Sequence, residues 1–432
     1  MPGDKSIAHR AALLSILAKG PLTVQNYPDS ADCARSLDAA KALGVAVNQV
    51  DDTTMTLTPP SQIQISSETV IDCGNSGTTA RLLSGVLAGS SSGAMLTGDA
   101  SLSTRPMTRI VKPLVEMGAE VYDTDGHLPL TVRGKKLLPF EYRLPIPSAQ
   151  VKSCILLAGL SAGCSITIQE VLPSRDHTEL MMQHMSGNLI IRDIKPVVEP
   201  DPNDPRKKRK YMPESFRREI NLGSQAHLEG GTIDIPGDIS TAAFFMAAAA
   251  LSGKSLSIEK VGLNSTRTGF IEHLKSIGCK VEIEDREVVS NESRGTVTVS
   301  GGPLKARKIS GEQTLALLDE IPIVAVLAAF AQGTTIIRDA GELRNKESDR
   351  LAAIAHNLEL MGVHCGVVED GLIIEGGREP NGADFKSFGD HRIAMAFSIA
   401  ALFAVGPSSI DDDSVVDVSC PGFYQLIEQM TK

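Results

Sequence analysis

Residues 73–81 read CGNSGTTAR and lead straight into the apolar run LLSGVLAG. A loop of glycines and small polar residues at a helix start can turn several backbone N–H groups and hydroxyls toward one anion, helped by the partial positive charge of the helix N-terminus. The same residue types also cap helices with no ligand at all, and one such loop by itself reads as a cap. Five further clusters change that reading: DKSIAHR (4–10), PSAQVKS (147–153), GDIST (237–241), LLDEIP (317–322) and FGDHR (388–392), each ahead of an apolar segment. Six N-termini gathered at one place, each carrying a partial charge of ~0.5, would attract a ligand with more than one anionic group. A cleft concentrates such a field even in a chain of net charge −10.

The elements that must position these clusters repeat along the chain. RAALLSILAKG, RLLSGVLAGSSSG, SCILLAGLSAG, AAFFMAAAALSG, IVAVLAAFAQG and AMAFSIAALFAVG are Ala-rich apolar stretches, each followed by a short β-type run. Their break glycines are Gly20, Gly89, Gly163, Gly253, Gly333 and Gly406. A glycine there suits the left-handed end of a helix. Four units continue with an amphipathic helix, another glycine and a strand: SLDAAKALG, IVKPLVEMG, FIEHLKSIG and LAAIAHNLELMG. Alternation of this kind predicts α/β units. Helices apolar nearly all round belong inside, with the amphipathic helices and the sheets around them. The expected fold class is therefore α/β (α+β), six repeats with helices inside and mixed sheets outside. Three repeats fall in each of two domains, 3–230 and 231–432, divided near GGTIDIPGD.

Composition narrows the partners. No apolar run is long enough to span a bilayer, and no signal-peptide pattern follows Met1, so a cytoplasmic protein with no membrane partner is expected. Seven cysteines, scattered singly, predict reduced thiols. Nine histidines form neither HxH nor HExxH, so no metal is expected. The acidic balance argues against nucleic acid. Its exception, RKKRK (206–210) within EPDPNDPRKKRKYMP, reads as a solvated loop insertion, with nucleic-acid binding or localisation as the lesser reading.

Taken together, PGDKSIAHR, GNSGTTARLL, STRPM, PSAQVKSCILLAGL, PSRDHTE, GDISTAAFF, LDEIPI, LRNKESDRL and GDHRIAMAF resemble the enolpyruvyl transferases of the EPSP synthase family, in family order and over nearly the whole chain. The resemblance implies an inside-out α/β barrel of two hinged domains. It also implies transfer of the carboxyvinyl group of phosphoenolpyruvate (PEP) to the 5-hydroxyl of shikimate 3-phosphate, without metal or organic cofactor, by a monomer. Its proton-transfer groups would be Lys5, Asp319 and Glu347. PEP would meet Lys5, Asn75, Gly77, Arg105, Gln150, Arg350 and Arg392, and the CGNSGTTAR loop would cradle its phosphate. Shikimate 3-phosphate would meet Lys5, Ser6, Arg10, Ser148, Gln150, Arg175, Asp319 and Lys346. The herbicide glyphosate would occupy the PEP position. A carboxylate enclosed in such a cleft is expected to have its pKa raised, while Lys5 stays protonated beside anions. Standing alone, the two carboxylates read as ordinary loop residues and the arginines as salt-bridge partners.

Some positions depart from the family pattern. The resemblance implies a strand ahead of PGDKS that normally belongs with the second domain, and from this sequence that strand is expected to be missing. Ala149 stands where many members have serine, His177 where one subgroup has tyrosine, Leu82 where it has proline and Val418 where it has lysine. SAQVKS and SRDHTE resemble a second bacterial subgroup, in which Arg175 supplies the missing contacts. Residues 184–230 match poorly. One rival is the sister enzyme acting on UDP-N-acetylglucosamine, but its reactive-cysteine loop has no cysteine at 99–107 here. Another is a truncated, non-catalytic anion-binding relative, against which stands the retention of Lys5, Asp319, Glu347 and the three PEP arginines. A kinase is poorly supported, since there is no GxxxxGK[ST] loop.

Overall fold

The computed structural model of the chain describes residues 1–66, 68–201, 204–212 and 214–431. The six apolar stretches form helices Lys5–Ser15, Gly77–Gly89, Ala149–Ala162, Ile239–Ser252, Ile321–Phe330 and His391–Ala401, buried along most of their length. Helices Ala31–Ala42, Thr108–Glu116, Gly269–Ile277 and Arg350–Leu360 follow four of them and bury only part of their surface.

A recurring sheet pattern accompanies the buried helices. In the second unit, Val70–Asp72 and Gly93–Thr97 flank the helix as a parallel pair, and an antiparallel hairpin, Glu120–Thr124 with His127–Arg133, extends the sheet. Phe140–Leu144 with Ile166–Glu170, and Lys308–Ile309 with Gly333–Ile337, build the third and fifth units the same way. A parallel pair needs a crossover connection, and the buried helix supplies it. The sixth unit keeps only the parallel pair Asp384–Phe385 and Ser409–Ile410. In the first unit, the parallel partner of Leu22–Gln25 is Gly231–Asp234, from the middle of the chain.

Two hydrophobic cores result, one running from Ile7 to Ile235 and the other from Ile239 to Ile427. The chain crosses between them twice at one place. Asp4 N–H donates to Pro236 O at 2.9 Å, and Asp238 N–H to Pro2 O at 2.9 Å. Within the first core, helices Gly77–Gly89 and Ala149–Ala162 touch so closely that a Cβ on Gly85 would lie 2.1 Å from Cys154 O.

The break glycines divide by role. Gly163 (φ 64°) and Gly253 (φ 70°) are left-handed helix caps, and Gly333 and Gly406 also have positive φ beyond their helix ends. Gly20 and Gly89 do not, so the expectation of six left-handed ends is corrected. Gly89 instead permits contact, since its Cβ would come within 2.4 Å of Ala158 O. RKKRK is corrected too: it lies on a strand, Asp204–Tyr211, paired antiparallel with Val197–Asp201 between two strands of the third sheet. RKKRK itself holds no proline, so each of its residues keeps the backbone N–H that a ladder needs. Pro202, Asn203 and Pro213 of that segment lie outside the described residues.

Candidate active site

A cavity of about 460 Å³ opens between the two cores, and a narrower one of about 80 Å³ shares its wall at Thr78, Gln150, Lys346 and Glu347. Five of the six N-terminal clusters reach these walls, through Lys5, Thr78, Gln150, Asp319 and Arg392. The sixth, GDIST, meets Lys5 from behind, with the Lys5 N–H donating to Asp238 Oδ2 at 3.2 Å. Capping and site-building turn out to be compatible. Asp4, Ser76, Ser148, Asp238 and Asp390 all cap their helices by side-chain acceptance. The helix Ile321–Phe330 starts instead from a 3-10 turn, Leu318–Glu320, with proline in its first turn.

The wall is densely charged. Lys5 Nζ donates to Asp32 Oδ2 at 3.0 Å. Burial is the largest single effect and pushes this ammonium down, but the charge and hydrogen bond of Asp32, with Cys33, together outweigh it, so Lys5 is held above its usual value. Arg175 Nη2 donates to Asp319 Oδ2, Lys346 Nζ lies 3.3 Å from its Oδ1, and Arg350 and Arg267 stand at 3.6 and 3.8 Å. Glu347 accepts from Arg350 Nη2 at 2.6 Å and faces Arg105 at 3.7 Å. The raised carboxylates expected from enclosure are therefore a correction. Burial does push Asp319 up, yet Arg175, Lys346, Arg392 and Arg267 together hold it well below the usual range. For Glu347, Arg350 leads the charges that overcome burial in the same way. Both are anions here.

Ser6, Ser148, Gln150, Arg175, Lys346, Arg350 and Arg392 line the larger cavity with the three proton-transfer candidates. Asn75, Gly77 and Arg105 line the smaller one. Asn75 Oδ1 accepts from Arg105 Nη2 at 2.5 Å, so the loop and the arginine are one assembly. Arg10 is the exception and a correction: it is in neither wall. Its Nε donates to Thr178 Oγ1 (2.7 Å), Nη1 to Ser6 O (2.8 Å) and Nη2 to Ser153 Oγ (3.0 Å). One helical turn beyond Ser6 it faces the neighbouring helix, and burial pushes it down to about 10.

Other wall residues carried no assignment from sequence. Asp32 was invisible because it opens a surface helix without a motif. Arg81 and His391, in the walls, and Asp390, buried behind them, sit inside quoted motifs, but their tasks depend on packing. Asp390 is fully buried and holds Arg350 Nε at 2.7 Å while capping Arg392 N at 2.9 Å. Arg81 Nη1 donates to Gln150 Oε1 at 2.8 Å, fixing the amide in the wall. His391 Nε2 has no hydrogen-bond partner among the described residues. Burial first, then Lys5, keeps that ring neutral. No group of His, Cys, Asp or Glu among the described residues is placed to hold a metal, and none of their helices is long and apolar enough to cross a membrane.

Comparison with known proteins places this geometry. The family model of EPSP synthase (3-phosphoshikimate 1-carboxyvinyltransferase) matches residues 1–215 and 212–427. A 3-phosphoshikimate 1-carboxyvinyltransferase of Salinibacter ruber is 42% identical over 445 residues, spanning 100% of this chain and 96% of its own. One of Oceanobacillus iheyensis is 39% identical over 436 residues, with the same shares. The solved EPSP synthase of Acinetobacter baumannii superposes with a TM-score of 0.80 at 36% identity, covering 99% of this chain and 94% of that one.

Proposed function

The chain belongs to the EPSP synthase (3-phosphoshikimate 1-carboxyvinyltransferase) family, and from that premise we infer that it transfers the carboxyvinyl group of PEP to the 5-hydroxyl of shikimate 3-phosphate. The observation that carries the reading is the distribution of charge in the cleft. Six cations, Lys5, Arg175, Arg218, Lys346, Arg350 and Arg392, line one cavity opposite five carboxylates, Asp32, Glu312, Asp319, Glu342 and Glu347, so two substrates bearing two phosphates and two carboxylates can take the carboxylates' place on these cations.

We seat PEP on Arg105, Arg350, Arg392 and Lys5 beside Asn75 and Gly77. Shikimate 3-phosphate lies against Ser6, Ser148, Gln150, Arg175 and Lys346, with Arg10 bracing Ser6 from behind. Arginine suits both kinds of anion through its paired donors. PEP would draw Arg105 and Arg350 away from Glu347 and set negative charge beside it, so the affinity of Glu347 for a proton rises. Asp319 exchanges Arg175 for a substrate in the same manner. The reaction then adds a proton to the PEP methylene while the 5-oxygen bonds to C2 and its own proton passes to a base. Loss of a methyl proton and of phosphate restores the double bond. Lys5, Asp319 and Glu347 are the groups in reach for these transfers.

Residues 3–230 and 231–432 serve as the two domains, supported by the separate cores, although strand Gly231–Asp234 lends itself to the first sheet. One chain supplies both walls of the cleft, which favours a monomer, and seven buried, unpaired cysteines suit the cytoplasm. Phosphate release from PEP with shikimate 3-phosphate tests the reading, with UDP-N-acetylglucosamine as the control acceptor. Release with the sugar nucleotide alone would overturn it.

A further inference from the structure

Behind the wall that carries Arg175 lies a group of charges the reaction does not touch. Lys152, Glu170 and Glu179 have no exposed side-chain surface. Lys152 Nζ is 3.0 Å from Glu170 Oε2 and 2.7 Å from Glu179 Oε1, and it also donates to Ser174 O at 3.4 Å. Glu170 Oε1 accepts both the Ser174 N–H, at 3.1 Å, and the Ser174 hydroxyl, at 2.5 Å. Every polar group of Ser174 is thus held by one buried lysine and one buried glutamate. Both sit on rigid elements, Lys152 in the helix Ala149–Ala162 and Glu170 at the end of strand Ile166–Glu170.

Buried ion groups are expensive to desolvate, and apolar residues of like volume usually serve a core at least as well. What apolar residues cannot do is fix a loop peptide by its N–H, hydroxyl and carbonyl together. The next residue along is Arg175, whose guanidinium reaches over to Asp319. We propose that Lys152 and Glu170 are positioning residues that set the Ser174–Arg175 peptide and thereby aim Arg175 at shikimate 3-phosphate. The proposal rests on the reading of Arg175 as a ligand of that substrate. A side chain held ready loses less freedom on binding, so the gain goes to substrate affinity rather than to the chemical step.

Steady-state kinetics on the full-length enzyme test this with Arg175→Ala, Glu170→Gln, Ser174→Ala and the double variant Arg175→Ala/Glu170→Gln. Glu170→Gln puts an amide N–H₂ against either Lys152 or Ser174, so one contact must open. It should raise KM for shikimate 3-phosphate roughly tenfold, as for a lost hydrogen bond to a charged group, while KM for PEP and kcat change by less than about threefold. Ser174→Ala should move KM the same way by a smaller factor. In the double variant, Glu170→Gln should add less than about twofold to Arg175→Ala, because the two act through one contact. If Arg175→Ala leaves KM for shikimate 3-phosphate unchanged, the assignment of Arg175 fails. If Arg175→Ala raises it but the other two single variants do not, or they weaken both substrates equally, the positioning role is overturned. Should Glu170→Gln not fold, Ser174→Ala, which removes a single hydroxyl, decides alone.

Discussion

Arg175 and Asp319 meet across the cleft, the guanidinium of the first half donating to the carboxylate of the second. Arg105 and Glu347 repeat the relationship at 3.7 Å. Each proposed anion-binding arginine therefore already has a carboxylate partner. Substrates enter by exchange of partners, so no bare guanidinium has to wait buried, a state that would be strongly unfavourable. The exchange also ties proton affinity to occupancy.

That coupling gives the first expectation. Lys5→Met, Asp319→Ala and Glu347→Gln should each lower kcat by roughly 10²–10⁴ as for acid–base groups, with Glu347→Gln affecting shikimate 3-phosphate binding least. Near-normal turnover in any two of them, measured by phosphate release, would contradict the assignment.

Stability should fall with acidity in two stages. Burial holds His9 and His273 down to about 4 from an ordinary 6.5. As pH drops from 6.5, the unfolded chain takes up these protons first, so the stability of the neutral buried rings, complete above 6.5, is lost toward 4. Each contributes a slope of about 1.4 kcal/mol per pH unit within that window. Asp319 and Glu347, held low in the fold, add stability above the ordinary carboxylate range and lose it only at more acid pH. Melting temperatures of the parent and His273→Gln between pH 8 and 4.5 provide the measurement. The variant's acid limb should be shallower, and parallel curves would refute the linkage.

Gly77→Ala probes the cradle. The backbone there is not left-handed, so alanine fits it, but the new Cβ would lie 2.9 Å from Arg81 Nη1. Arg81 must then shift, with the Gln150 amide it holds. Glyphosate, longer than PEP, should lose affinity by ~1–3 kcal/mol more than PEP, in keeping with steric discrimination of one methyl. Inhibition constants against varied PEP read this directly. Equal losses for both ligands would show that the cradle does not sort by length.

Gly85→Ala tests the helix pair beneath the site. A methyl 2.1 Å from Cys154 O forces the helices apart, at a cost of about 1–3 kcal/mol by overpacking. Denaturant unfolding should show it, whereas Gly253→Ala, where no atom lies within 4 Å, should be destabilised only by its left-handed backbone.

Sequence carried the periodic and the local parts of this molecule. The six apolar helices were legible because nothing polar interrupts them, and their polar starts marked the cleft. What it hid depends on direction. Arg10 belongs to DKSIAHR, yet five positions past the lysine it faces the helix behind, and only packing decides that. Asp319 and Glu347 had the right type and place, but the charge state of Asp319 rests on Arg175 across the cleft and on Lys346, Arg392 and Arg267, and that of Glu347 on how Arg350, three residues along, is turned toward it. Enclosure alone gave the wrong sign. The pairing of Val197–Asp201 with Asp204–Tyr211 was hidden because the Pro and Asp around the basic run argue for a loop, while the run itself carries no strand-type apolar alternation.

The paired crossings, Pro2 to Asp4 beside Pro236 to Asp238, have a consequence for how the molecule could be recombined. Everything between them leaves and returns at a single joint, so the first half has adjoining ends. Exchanging it for its counterpart from a relative would require sutures at that joint only, with strand Gly231–Asp234 travelling in the cassette because it completes the first sheet. Lys5 lies on the seam itself, its amide bonded to Asp238 across it. A transplanted half would bring Lys5 with it, and its amide would need an acceptor in the receiving half where Asp238 now stands.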